Sequence, residues 1–136
     1  RLIEVGVPAS FLGPILTDPN ARWVLRNARH AGIVAKTIET AFDSPTRNRG
    51  LLGRSGLADG HALILAPCSS IHTFFMQFAI DVAFMDRDGV VLRVRHALGP
   101  WRVQIAFRAF AVIEFGSGSL GRSDTRAGDR LYVAAE

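Results

Sequence analysis

Short runs of alternating hydrophobic and polar residues dominate the chain from residue 22 onward. Period-two alternation is the signature of a strand with one buried face. The segments at 22–27 and 33–41 flank a turn-rich NARHAG and predict a hairpin. In the second of these, Ile33, Ala35, Thr37 and Glu39 share one face and Val34, Lys36 and Ile38 the other. HALILA at 61–66 predicts a buried strand. Met76, Phe78, Ile80, Val82 and Phe84 alternate with Gln77, Ala79, Asp81, Ala83 and Met85, which predicts a strand over 76–85. The turn Asp86-Arg87-Asp88-Gly89 would return it as VVLRVR at 90–95. Further strands are expected at 103–107, 109–115 and 130–134.

Helical signals are few. Ser44 can cap a helix with Pro45 in its first turn, Gly50 inside it and Gly53 or Gly56 at its end. Leu120 is expected to anchor one helical turn in the Gly/Ser-rich segment before the last strand. An opening with Pro8, Pro14 and Pro19 reads as an extended arm over 1–21, followed by a single domain over 22–136. The expected fold is mainly β: a jelly-roll-like β-sandwich or partly open barrel with one or two short helices. A doubly wound α/β fold would need helices between most strands.

At 136 residues the chain has room for one domain with a core. Hydrophobic residues are 49%, which excludes a disordered chain, and no run approaches the about 20 apolar residues of a membrane span. One cysteine excludes an internal disulfide and a cysteine-built zinc cage. The net charge is +4, with Lys36 the only lysine among sixteen basic residues. The arginines are dispersed without a basic stripe, so GC-rich codon usage explains them better than nucleic-acid binding. The opening lacks the apolar core of a signal peptide, and a lone thiol suits a reducing compartment. The cytoplasm is the expected location, with export left open because the sequence starts at Arg1.

Several polar residues stand in apolar surroundings. Asp81 is flanked by Ile80 and Val82, and Glu114 sits inside VIEF. A carboxylate in such a place needs a partner or a ligand. Were the two to face each other about 5–9 Å apart, they could act as a glycosidase pair. Cys68 and His72 could form a nucleophile and its base only if a loop joined them, since four strand residues span about 13 Å. Trp101 and Arg102 follow Pro100 in an expected loop and could stack or clamp an anion. No spacing for zinc appears among His61, His72 and His96, and DRDG lacks the rest of a calcium loop. No metal and no cofactor are expected.

The motifs from Arg47 to Asp129 resemble the family called domain of unknown function 192. Arg47, Arg49, Gly50, Leu51, Leu52 and Arg54 look like its helix motif. Pro67, Cys68, Ile71, His72, Thr73 and Met76 look like the next run, and Ile80, Asp81, Val82, Phe84, Asp86 and Gly89 like its strand and turn. Glu114, Gly118, Gly128 and Asp129 look like the closing pattern. Gln77 and Ala79 depart from it, where relatives usually carry Arg and Pro. The resemblance covers about 22–133 and implies a mainly-β, jelly-roll-like sandwich; it implies no activity. Three readings follow from the residues. The first is a domain binding a small polar ligand, a sugar or carboxylate, through His72, Thr73, Asp81, Trp101, Arg102 and Glu114. The second is a hydrolase using Asp81 and Glu114, or Cys68 and His72. The third is a structural or interaction module. The sequence leaves the oligomeric state open.

Overall fold

The computed structural model describes residues 9–136. Ten strands and three short helices follow one another along them: α1 (Gly13–Thr17), β1 (Trp23–Asn27), β2 (Ile33–Ala35), β3 (Thr37–Ala41), α2 (Ser44–Arg49), β4 (His61–Leu65), β5 (Ser70–His72), β6 (Ile80–Met85), β7 (Val91–Leu98), β8 (Val103–Ile105), β9 (Ala111–Gly116), α3 (Ser119–Arg122) and β10 (Leu131–Ala135). The fold is mainly β and its sheets stay open, so no barrel forms. A five-stranded sheet in the order β3-β4-β9-β6-β7 is the centre. A three-stranded sheet, β10-β1-β2, packs on one of its faces, and β5 and β8 pair antiparallel as a separate two-stranded ribbon.

The central strands have no solvent-facing side. Every residue of β6 and β9 is buried. Ala83, Met85, Ile113 and Phe115 pack toward Leu25, Leu131 and Val133 of the smaller sheet. Val82, Phe84 and Val112 pack on the other face with Leu51, Ile71 and Met76. A sheet covered on both faces drops the polar half of the pattern.

The expected strand at 33–41 is two strands. Ala35 pairs with Leu25 in the small sheet, whereas Thr37 pairs with His61 in the central one. Lys36 is the crossover point, and both its N–H and that of Thr37 donate to the Gly60 carbonyl at 2.8 and 3.0 Å. β3 and β4 run parallel, so a connection must cross over, and α2 lies in it. Asp43, not Ser44, caps α2: its Oδ1 accepts from Thr46 N at 2.8 Å. Gly50 ends the helix instead of lying inside it.

The strand expected from Met76 begins at Ile80. Residues 73–79 turn, because Met76 N donates to the Thr73 carbonyl and Phe75 takes φ +65°. The part of the expected arm that is described, residues 9–21, contains α1, whose Ile15 is buried beside Leu12 in the core. The DRDG hairpin is present: Asp86 Oδ1 accepts from Asp88 N and Val90 N, both at 2.9 Å. Gly89 sits at φ +88°, and a Cβ there would overlap the Leu131 carbonyl oxygen. Gly89→Ala is therefore expected to cost at least about 2 kcal/mol, measured by urea unfolding. A loss under half of that would remove this contact from the account.

Candidate functional site

One cleft of about 270 Å³ opens beside the central sheet. α2 and the residues after it supply Arg47, Asn48, Arg49 and Leu51; the β4–β5 region supplies Cys68, Ser70 and His72; β9 supplies Glu114. Leu51, Leu65, Ile71 and Met76 make its apolar lining. The walls meet because α2 crosses between the parallel strands β3 and β4, while Leu51 and Ile71 seat both walls on the same core cluster.

Glu114 is the unusual group here. It is only 4% exposed, and its Oε1 is buried without a hydrogen-bond partner. Burial pushes its carboxyl up from 4.5 to about 7, opposed by the charge of Arg54. Arg54 itself is committed elsewhere, donating to both oxygens of Glu39 at 2.8 and 3.1 Å. A buried carboxyl left unsatisfied costs stability, so a group kept in this state beside an open cleft is a candidate for work on a ligand.

Cys68 lines the same cleft. Its Sγ donates to the Ser70 carbonyl at 3.1 Å, and burial pushes its thiol up. Burial outweighs the opposing backbone hydrogen bond at Ser70 and favours the neutral thiol over the thiolate that a nucleophile requires. Arg47 reaches the carbonyl of Ala66 at 3.4 Å and Ser44 Oγ at 3.1 Å, which holds its guanidinium at the rim.

The six expected site residues do not converge. Asp81 pairs with Phe115 across β6 and β9, and Val82 with Glu114, so Asp81 and Glu114 point to opposite faces of one sheet. The glycosidase arrangement is thereby excluded. Asp81 is fully buried as a brace: Oδ1 accepts from Ala97 N at 2.9 Å, and Oδ2 from Gly118 N and Leu120 N at 3.1 and 3.0 Å. It holds a bulge of β7 and caps α3 from a neighbouring strand. Thr73 is a brace too, donating to the Gly99 carbonyl at 2.7 Å and accepting from Arg102 N at 2.9 Å. Trp101 is exposed and touches Phe74 and Phe75, with centroids 5.7 and 4.7 Å away. His72 lies between the two groups, lining the cleft and stacking on Phe74 at 4.9 Å. Arg102 is exposed at its end of the β5–β8 ribbon.

Only His72 and Glu114 of the six therefore share the cleft. Arg47, Asn48, Arg49 and Ser70 were not expected there. The one sequence signal for them was the arginine-rich helix motif, which by itself says nothing of the wall it faces. Among the described residues no group of three or more His, Cys, Asp or Glu could hold a metal ion.

The pattern of DUF192, described as "Uncharacterized ACR", matches residues 25–133. The chain belongs to the DUF192 family. Two solved structures share its fold. A candidate transcription regulator from Sinorhizobium meliloti 1021 is 20% identical, with a TM-score of 0.71 over 82% of this chain and 91% of that one. A protein of unknown function from Novosphingobium aromaticivorans DSM 12444 is also 20% identical, with a TM-score of 0.69 over 80% of this chain and 81% of that one. No curated protein sequence matches this DUF192 chain. At this identity the two structures speak for the fold alone, and in this chain the Gly128-Asp129 pair of the closing pattern serves as a brace. Asp129 of the Gly128-Asp129 pair accepts from Asn27 Nδ2 and Arg29 Nε, each at 2.8 Å, and Arg29 holds its carboxyl well below the usual range.

Proposed function

We propose that this DUF192 domain binds a small polar ligand, a sugar or small carboxylate, in the cleft floored by Glu114. The observation that supports this most is the buried, unpartnered Oε1 of Glu114 in a cleft with polar walls. A ligand hydroxyl would supply the missing hydrogen bond. Arg47, Arg49 and Asn48 would receive hydroxyls or a carboxylate at the rim, and the aliphatic lining suits the C–H face of a sugar ring. The volume limits the ligand to about the size of one ring.

Thermal-shift measurements against monosaccharides and small organic acids test this reading. A ligand at 100 times its Kd adds about 2.7 kcal/mol, which is roughly 8 °C for a chain of this length. At least one member should shift the native chain and leave Glu114→Gln nearly unshifted. A flat response of the native chain across the panel would count against the proposal. The raised carboxyl of Glu114 also suits a general acid or base, which supports a hydrolytic reading second. Any ligand that shifts the melting temperature should be incubated and assayed for bond cleavage, and recovery of intact ligand would favour binding alone.

A further inference from the structure

The β5–β8 ribbon, whose Ser70 and His72 also line the Glu114 cleft, carries an apolar surface of its own. Trp101, Val103, Ile105 and Phe107 follow period-two spacing, and all are exposed: 57, 51, 43 and 90%. Along this stripe of sequence, Val103 and Ile105 share one face of β8, and Trp101 and Phe107 stand beyond its two ends, Trp101 at φ +65° and Phe107 in a turn. Phe75, 70% exposed, lies edge-on against Trp101 at one end. Phe75 and Trp101 both hold φ +65°, a costly backbone for aromatic residues, and the Thr73 brace pins the segment that presents them. Apolar side chains this exposed are usually withdrawn from water unless a surface receives them.

The charge around the stripe is mostly positive, with Asp86 and Asp88 sharing a hollow with Arg108 at one end. No Asp or Glu occurs from Val90 to Ile113 or from His61 to Ile80. Arg102 and Arg108 flank the stripe and are exposed. Arg93 and Arg95 reach across from β7, donating to the Ile105 carbonyl at 2.8 Å and to Gln104 Oε1 at 2.7 Å; neither is neutralised by these contacts. We propose that this stripe docks the protein on an anionic lipid surface, with its aromatic and aliphatic side chains in the headgroup layer and its arginines on lipid phosphates.

Two observations favour lipid over other occupants. A second copy would bring four more arginines against these four with only Asp86 and Asp88, beside Arg108, to answer them, so self-pairing is opposed by like charge. Single-stranded nucleic acid would use the aromatic residues, but Val103 and Ile105 offer no face on which a base stacks. Side chains exposed by 70–90% project outward, as a wedge into headgroups must.

The test is co-sedimentation of the full chain with vesicles of phosphatidylglycerol and phosphatidylcholine in equal parts, against phosphatidylcholine alone. The protein should sediment with the first and remain free with the second, and added salt should release it. Phe107→Ser should lower partitioning at least tenfold and leave the melting temperature unchanged, because that side chain touches little. Arg102→Gln should lower it several-fold. In a Trp23→Phe background, Trp101 emission should shift to the blue on anionic vesicles. Three results would overturn the proposal: no anionic-vesicle binding, equal binding to both vesicles, or a 20-nucleotide oligothymidylate displacing the protein from vesicles while Phe107→Ser has no effect. A Phe107-dependent dimer that stays off vesicles would assign the stripe to self-association instead.

Discussion

Asp81→Asn is expected to lower stability by about 3–4 kcal/mol, a fall of roughly 10 °C in melting temperature. Asp81 is fully buried and accepts three backbone N–H groups through two oxygens. An amide keeps one oxygen and turns an NH₂ toward donors, leaving at least one buried N–H without an acceptor at about 1–3 kcal/mol. The charge-assisted part of the remaining bonds is lost as well. The consequence is local as well as global: Ala97, at φ +50°, and the first turn of α3 are both tethered to this carboxylate. Ligand shifts at the Glu114 cleft should survive in the folded fraction, because Asp81 lies on the other face of the sheet. Urea unfolding with and without ligand checks both statements. A variant as stable as the native chain would remove Asp81 from its bracing role.

The second large effect has the opposite sign. Glu114 has its folded carboxyl raised to about 7 from 4.5. Its protonated form is favoured by folding, so its contribution is complete below about pH 4.5 and is lost as pH rises through 7. The loss amounts to about 3 kcal/mol, since a tenfold change in proton affinity is worth about 1.4 kcal/mol. Glu114→Gln removes the titration. The variant should melt above the native chain at pH 8 and should lack that decline between pH 4.5 and 7. Asp129 works the other way, because its carboxyl is held low and its contribution fails only as acid protonates it. Stability curves from pH 3 to 9 separate the two. A Glu114→Gln variant that melts below the native chain at pH 8 would mean that the ionised carboxylate is well satisfied after all.

How much of this was legible in the sequence depends on what fixed each feature. HALILA, the DRDG turn and the turn at Leu120 were legible because local pattern and turn chemistry decide them. The break at Lys36 was not, because 33–41 reads as one imperfectly alternating strand and only the tertiary contact with Gly60 shows where the sheet changes. The helix at Gly13–Thr17 was hidden by Pro14, which reads as a breaker yet is tolerated in a first helical turn. The start of β6 was obscured because Met76 and Phe78 continue its alternation by accident, while Thr73 folds the chain away.

The site was half legible for a related reason. Asp81 and Glu114 look alike along the chain, each an acid between aliphatic residues. Their fates differ because of register: a one-residue difference in pairing sends Asp81 toward the N–H groups of α3 and Glu114 toward the cleft. Register between β6 and β9 is set by packing across the 25 residues at 86–110 that separate them, and no local pattern encodes it. Arg47 and Arg49 reached the cleft for the same reason, carried there by the crossover between parallel strands.

The most direct measurement is a ¹³C NMR titration of the Glu114 side-chain carboxyl, with Glu114→Gln used to assign the signal. A midpoint near 7 in the free protein, displaced when a sugar or carboxylate from the thermal-shift panel is added, is the expected result. A midpoint near 4.5 that no panel member moves would contradict the claim that this carboxyl waits, unsatisfied, for a ligand.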